Sequence, residues 1–404
     1  MLKRGLDQKW EKRKSSRQKK ATPNDEKEEL SRLRTSIEEI TESIIDLVNA
    51  RQNLSVEVAR IKRLSNAPIE NLQVELSLQS KVHDYAEEVG VDPLLASKML
   101  SLILDSSKAV QRRSYYEESI RSFLREKRID HIAVIGAGRM GGWFASYFTG
   151  LLHPPIIYDR DTKKAKSLAR LVQGKPARNL DQVAREADLV VVAIPISRTP
   201  AFVRQLMQKL PRRRGHLLIL ELTSVKDPLV RAGLIGKDAK KPDNIALYSI
   251  HPMFGPDAMH FAENKMLEIS ENMEGDRLLQ GLFPHFKILT LNAQEHDKMM
   301  SYVLSLPHLV SLLFADVITN AESQIKDYSG PSFDRMLDLA RKVLSESPSV
   351  YFDIQSSNPE NSKMLKQLRK SLDYFDSMSR DKEAFRNFFE KTQTKLIKQP
   401  SQSA

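Results

Sequence analysis

The chain has 404 residues, 41% of them hydrophobic, which is enough to bury two or three separate cores and excludes a disordered protein. It has no cysteine, so disulfides, thiol nucleophiles and thiolate metal sites are excluded, in keeping with a reducing compartment such as the cytoplasm; no metal site is expected. The formal net charge is +11, and a visible share lies in a basic start, MLKRGLDQKWEKRKSSRQKK, which lacks the apolar stretch of a secretory signal or membrane anchor.

Residues 1–24 read as a loose, disordered basic tail, and since no interleaved aromatic and basic pattern follows, a nucleic-acid partner is not expected. A helical domain is predicted over 25–128. Apolar positions from Leu30 through Leu33, Ile37, Ile40, Ile44 and Leu47 to Ile61 step by three and four, which predicts one long amphipathic helix from Glu26 to about Leu64. A second helix runs to Glu88 and stops at Gly90; a third opens at Asp92-Pro93, with Asp92 as cap, and continues towards Arg128. Arg51 breaks the apolar stripe between Leu47 and Leu54, a costly place for a charge without a partner or ligand. At about 100° per residue, Arg51 and Lys62 fall within about 20° of one helix face, whereas Arg34 lies about 100° away.

The pattern changes at His131. IAVIG, PIIYD, LVVVAIP, HLLILEL and IALYSI are strand candidates separated by helical stretches, the mark of a doubly wound parallel sheet over 129–293. The first strand runs into Gly136-Ala137-Gly138-Arg139-Met140-Gly141, and Asp159 closes the second. Glycines let the backbone approach a pyrophosphate, the helix N-terminus carries partial positive charge, and the carboxylate accepts from ribose hydroxyls. The expected cofactor contacts are Gly136, Gly138, Arg139, Met140, Gly141, Asp159 and Pro195. Asp159 favours NAD over NADP by charge repulsion, an effect softened by Arg160, Lys163 and Lys164.

Strand signals cease near Gln294, and a helical domain is predicted over 294–395, with 396–404 a polar tail. Its apolar run from Tyr302 to Ile318 approaches membrane-spanning length but carries Pro307, His308 and Asp316, so a buried core helix is expected rather than a membrane span. The predicted fold is an α/β Rossmann-like doubly wound sheet with an N-terminal three-helix domain and a C-terminal all-helical domain.

LTSVKDPL (222–229), HPMFGPD (251–257) and EHDKMM (295–300) with the downstream His308 resemble the prephenate dehydrogenase family. The resemblance implies NAD-dependent oxidative decarboxylation of prephenate to 4-hydroxyphenylpyruvate. A neutral imidazole suits removal of the ring hydroxyl proton at neutral pH, which points to His251. Ser224 would hydrogen-bond that hydroxyl or the nicotinamide amide, or else cap the helix that follows. His308, and less so His296, would touch substrate or tyrosine. Where the family places an arginine for the ring carboxylate, six residues before Pro348, this chain has Lys342 preceded by Arg341, which leaves prephenate against arogenate open.

The N-terminal helices are similar to the all-helical chorismate mutase family in Arg34, Arg51, Lys62, Glu75 and the Ser107 to Gln111 pair. That resemblance implies a pericyclic rearrangement of chorismate to prephenate, which needs clamps rather than a nucleophile. Arg51 and a partner subunit's Arg34 would hold the carboxylates, Lys62 and Gln111 would face the ether oxygen, and Glu75 would take the hydroxyl. Val74 stands where the family has an arginine, so a regulatory or dimerising role for these helices is the alternative. Both resemblances imply a homodimer serving tyrosine biosynthesis, with tyrosine as a possible feedback ligand.

Overall fold

The computed structural model describes residues 23–65, 67–209, 216–237, 239–240, 242–271, 277–319 and 325–397. The predicted basic tail lies almost wholly outside these residues, as do positions 398–404. The chain divides into two compact units, Met1–Tyr115 and Tyr116–Ala404.

The first unit is built from helices Pro23–Leu64 and Leu72–Val89 and the first part of Pro93–Glu126. Local chemistry sets their ends. Asn71 caps the second helix by accepting from Val74 N, and Gly90, at φ 74°, closes it in the left-handed conformation that glycine adopts without Cβ strain. Asp92 accepts from Leu94 N at 2.9 Å and starts the third. The long helix leaves much of its apolar stripe uncovered: Ile37, Leu47 and Leu54 are each more than 60% exposed.

The second unit carries an eight-stranded sheet in the order β3-β2-β1-β4-β5-β6-β7-β8. The strands are β1 Ile132–Ile135, β2 Ile156–Tyr158, β3 Lys175–Pro176, β4 Leu189–Val192, β5 Leu217–Glu221, β6 Ile245–Pro252, β7 Lys265–Ile269 and β8 Lys287–Leu291. The pairing is parallel throughout except for β6 with β7. Chain order reverses across β1, which pairs with both β2 and β4, and this is the switch point where open α/β sheets bind ligands. β1 and β4 are buried along their whole length, as expected of strands covered on both faces.

Three strands were not foreseen. β3 has two residues, β8 is a half-exposed edge, and β7 alternates poorly because Glu268 is buried within it. β7 also corrects the expectation of a wholly parallel sheet: the chain returns after β6 through a loop and pairs antiparallel with it, His251 opposite Leu267.

Beyond β8 the chain is helical among the described residues. Helix Ala293–Met300 passes through a π turn, Ser301–Ser305, into Leu306–Thr319. Pro307 has no N–H, so the carbonyl four residues earlier loses its α-helical donor; a wider turn, with Leu306 N reaching Ser301 O, takes up the mismatch. Helices Pro331–Leu344, Pro348–Ser357, Asn361–Met378 and Lys382–Ile397 follow. The expected buried core helix needs correction. Most of the apolar stretch in Ala293–Thr319 is not buried, and Val303, Leu313 and Val317 are exposed, because no other described element covers that face.

Candidate active sites

The glycine turn is shaped by close approach. A Cβ at Gly136 (φ 99°) would overlap the carbonyl oxygen of Ala193, and one at Gly141 would overlap that of Gly136. At Gly138 an added Cβ meets nothing within 4 Å, so the backbone there is open towards a ligand. Gly138 is the N-cap of helix Arg139–Gly150, whose free N–H groups and dipole favour an anion. Asp159 accepts from Ala137 N at 2.7 Å and from Asp161 N at 2.8 Å, which ties the end of β2 to the turn. Met140 is half-buried and Pro195 is exposed at the end of β4. These residues suit a dinucleotide pyrophosphate and ribose. We expect Gly141→Ala to lower stability by about 1–3 kcal/mol and to weaken cofactor binding, read by urea denaturation and by fluorescence titration.

Arg139 opens this helix and bridges three segments. It holds Asp257 of the HPMFGPD loop at 2.9 Å and also pairs with Glu346, beyond helix Pro331–Leu344. The charge expected to face the cofactor is thus clasped by two carboxylates, neither of which the sequence pattern had suggested.

His251 lies near the C-terminal end of β6 and is 5% exposed. Its Nδ1 is 3.0 Å from Nε2 of His296, whose Nδ1 is 2.8 Å from Oδ1 of Asp297. The direction of this relay follows from the carboxylate, which can only accept. His296 donates from Nδ1, offers its Nε2 lone pair to the Nδ1–H of His251, and leaves the lone pair on His251 Nε2 for an incoming proton. Asp297 is fixed in turn by the backbone N–H groups of Lys226 and Asp227, and Asn358 Nδ2 donates to its carbonyl.

Burial pushes the pKa of His251 well below 6.5, with His296 and Lys226 adding to the effect; burial also lowers that of His296, against the pull of Asp297. Both rings are therefore neutral at pH 7. The sign for stability follows: the unfolded chain takes up protons near 6.5 that the folded state refuses, so stability is complete above that pH and is lost progressively below it. Melting temperatures measured from pH 7.5 to 5 should fall on the acid side, and His251→Asn should flatten that fall.

Beneath His251 lies an ion pair with no solvent contact. Lys226 Nζ is 2.7 Å from Glu221 Oε1 and donates to Ile250 O at 2.9 Å; Glu221 also accepts from Thr223 N, Thr223 Oγ1 and Ser249 Oγ. Ser224, between these two charges in sequence, is half-buried. Its alternative expectation, a helix cap, is not met: Lys226 is the N-cap of Asp227–Arg231, and Asp297 accepts the N–H groups.

His308 packs edge-on against Tyr351 at 4.6 Å, and its Nδ1 and the nearby Ser305 Oγ are buried polar atoms with no hydrogen-bond partner. Burial lowers the pKa of His308. Arg341 and Lys342 are exposed on helix Pro331–Leu344, with Arg341 beside Asp338 at 3.5 Å; neither is bonded into the His251 cluster.

In the first unit, Arg51 bonds to Ser107 Oγ and reaches Ile103 O at 3.3 Å, while Lys62 Nζ is 3.3 Å from Gln111 Oε1 and also donates to Ile69 O. The structure thus brings Arg51, Lys62, Ser107 and Gln111 together between the first and third helices. Glu75 is paired with Lys108 at 3.3 Å. Val74 is 61% exposed, so the cation beside Glu75 comes from the third helix, a substitution that a motif read in order along the chain conceals. Arg34 is exposed and about 25 Å up the first helix from Arg51, too far to join this group.

Residues 33–112 match the family described as chorismate mutase type II, 131–219 that described as NADP oxidoreductase coenzyme F420-dependent, and 292–392 the prephenate dehydrogenase dimerization domain. The T-protein of Haemophilus influenzae is 25% identical over 379 residues, covering 90% of this chain and 91% of that protein. A probable arogenate/prephenate dehydrogenase of Methanocaldococcus jannaschii is 24% identical over 56% of this chain, a match spanning about half (52%) of that protein. The chorismate mutase of the same organism is 29% identical over 23% of this chain and 92% of its own length. In fold, the chain resembles the crystal structure of prephenate dehydrogenase from A. aeolicus in complex with hydroxyphenyl propionate and NAD+, with TM-score 0.54 and 19% identity over 66% of this chain and 98% of that one. Mutase and dehydrogenase matches follow one another on this single polypeptide, and the likeness to the T-protein runs over nearly the full length of both chains, so the domain order is that of a bifunctional chorismate mutase/prephenate dehydrogenase.

Proposed function

We propose that the second unit oxidises prephenate with NAD and that His251 Nε2 is the base. The observation that carries this reading is the His251–His296–Asp297 relay, which engages Nδ1 of a neutral, largely buried imidazole and leaves its Nε2 free at the C-terminal end of β6. Bound NAD supplies the hydride acceptor, and Gly136, Gly138, Arg139, Met140, Gly141, Asp159 and Pro195 would hold it. His251 takes the ring hydroxyl proton as hydride departs from the carbinol carbon; the C–C bond to the ring carboxylate breaks, carbon dioxide leaves, and the electron pair makes the ring aromatic with its oxygen a phenolate, which takes the proton back from His251. His296 accepts from the Nδ1–H of His251 and so steadies the imidazolium, while Asp297 orients His296 and keeps its charge. Ser224 would hold the hydroxyl. His308, with its unpartnered Nδ1, and Arg341 or Lys342 would hold the carboxylates.

The first unit would rearrange chorismate to prephenate. Arg51 and the partner's Arg34 would clamp its carboxylates in the compact conformer, with Ser107 beside Arg51, Lys62 and Gln111 at the ether oxygen, and Glu75 at the hydroxyl. The Lys108 ammonium supplies the cation beside Glu75 that Val74 lacks. Domain limits of 25–128, 129–293 and 294–395 suit these roles. A homodimer is supported by the uncovered apolar faces of Pro23–Leu64 and Leu306–Thr319. A cytoplasmic enzyme serving tyrosine biosynthesis, with tyrosine as a feedback ligand, completes the reading.

The test is absorbance of NADH with purified protein and NAD, given chorismate, prephenate and arogenate in turn. NADH from both chorismate and prephenate is expected. Signal from prephenate alone would reduce the first unit to a regulatory or dimerising module, and signal from arogenate alone would change the substrate.

A further inference from the structure

A cavity of about 220 Å³ lies at the opposite end of the sheet from His251. It opens where β4 and β5 begin, and β5 alone, with five residues rising about 3.3 Å each, separates the two ends by about 16 Å. Its apolar surface comes from Ile129, Leu218, Leu278 and the ring of Tyr248. Its rim carries Lys127, Arg128, His216 and Arg277 against a single carboxylate, Asp188.

The cations are not equally committed. Lys127 sits over the Phe123 ring and pairs with Glu126 at 3.8 Å. Among the described residues, neither Arg128 nor Arg277 forms an ion pair. Arg128 is also held at φ 54°, a backbone conformation usually left to glycine at a helix end. Asp188 is already engaged by the backbone N–H groups of Asp130 and His131 at 3.1 and 2.9 Å. Among the described residues, the cavity therefore offers positive charge in excess around an apolar floor.

We propose that this cavity binds a small monocyclic carboxylate that has no ammonium group, an aromatic 2-keto acid in preference to the corresponding amino acid. The size admits one ring with a short side chain, being below the roughly 300 Å³ at which drug-sized pockets begin. Two arginines suit a carboxylate by paired N–H donation. An amino acid brings an ammonium group towards those same arginines, with Asp188 already occupied. The apolar floor separates the ligand from inorganic phosphate, which has nothing to bury there.

The test is equilibrium dialysis of the full chain with 4-hydroxyphenylpyruvate, tyrosine and inorganic phosphate, comparing the natural protein with Arg128→Gly/Arg277→Gln. Glycine suits the backbone at 128, and both residues lie outside the proposed catalytic groups, so dehydrogenase turnover and circular dichroism should be unchanged. The natural protein should bind one more keto acid per chain than the variant, with no such difference for tyrosine. If the double variant does not fold, the single Arg277→Gln should weaken that second binding event by about tenfold, or 1.4 kcal/mol. Equal stoichiometry and affinity in natural and variant proteins would overturn the site. Displacement of the keto acid from it by phosphate, or equal binding of tyrosine, would overturn the ligand class. The readout is binding rather than turnover, so its failure and that of the dehydrogenase reading are distinguishable.

Discussion

Replacing His251 with asparagine should lower dehydrogenase turnover by about 10²- to 10⁴-fold, the contribution of a positioned general base, while NAD affinity stays within a few-fold. Asparagine can still offer an N–H to His296 Nε2, so the relay keeps a donor at this buried position, but the amide has no basic lone pair for the substrate proton. The proposed cofactor contacts, the turn from Gly136 to Gly141 and Asp159, do not touch this ring through a hydrogen bond. The measurement is kcat from NADH absorbance beside NAD titration by protein fluorescence. Unchanged turnover would remove His251 from the mechanism. His296→Gln provides the graded comparison: a residue acting through His251 should shift the acid limb of the pH–rate profile, which a merely structural residue would leave in place.

The largest loss of stability is expected at Lys226. Its ammonium and the Glu221 carboxylate are both 0% exposed at 2.7 Å, and burial lowers the lysine pKa while Glu221 raises it. Taking two charges out of water costs more than their attraction reliably returns, so the pair adds little net stability, yet removing one member leaves the other charged and desolvated. Lys226→Met should therefore cost about 3–5 kcal/mol, measured by urea denaturation, and Lys226→Met/Glu221→Gln should recover a substantial part. A single variant as stable as the natural protein would show that the carboxylate finds another partner. Because Lys226 Nζ also donates to Ile250 O, next to His251, turnover should fall in the single variant even where it is folded.

The parts of the molecule legible in the sequence are those fixed by neighbours along the chain. Gly90 and Asp92 mark helix ends because the capping bonds span only a few residues. The glycine turn and Asp159 share one short strand–helix–strand unit, so spacing alone relates them. His251 could be singled out because it sits in a compact motif. The relay behind it was not, since His296 lies 45 residues away and Lys226 is 71 residues from Asp297. His296 was expected only as a weaker contact for substrate or tyrosine, and only the packing of its helix against the end of β6 shows that it bonds to His251. Lys108 escaped for a related reason: the cation beside Glu75 comes from another helix. The exposed apolar segment after β8 defeated the expectation of burial because hydropathy records the need for a covering surface without saying which chain provides it.

The π turn at Ser301–Ser305 acts as an absorbed one-residue insertion. His296 and His308 are twelve positions apart, which on an uninterrupted α-helix would set them about 120° apart in azimuth. Taking up one extra residue in the wide turn reduces the effective separation to eleven steps and the angle to about 20°. The helix can thereby show both imidazoles to one side, and a variant forced into regular helix at full length would swing them to different sides.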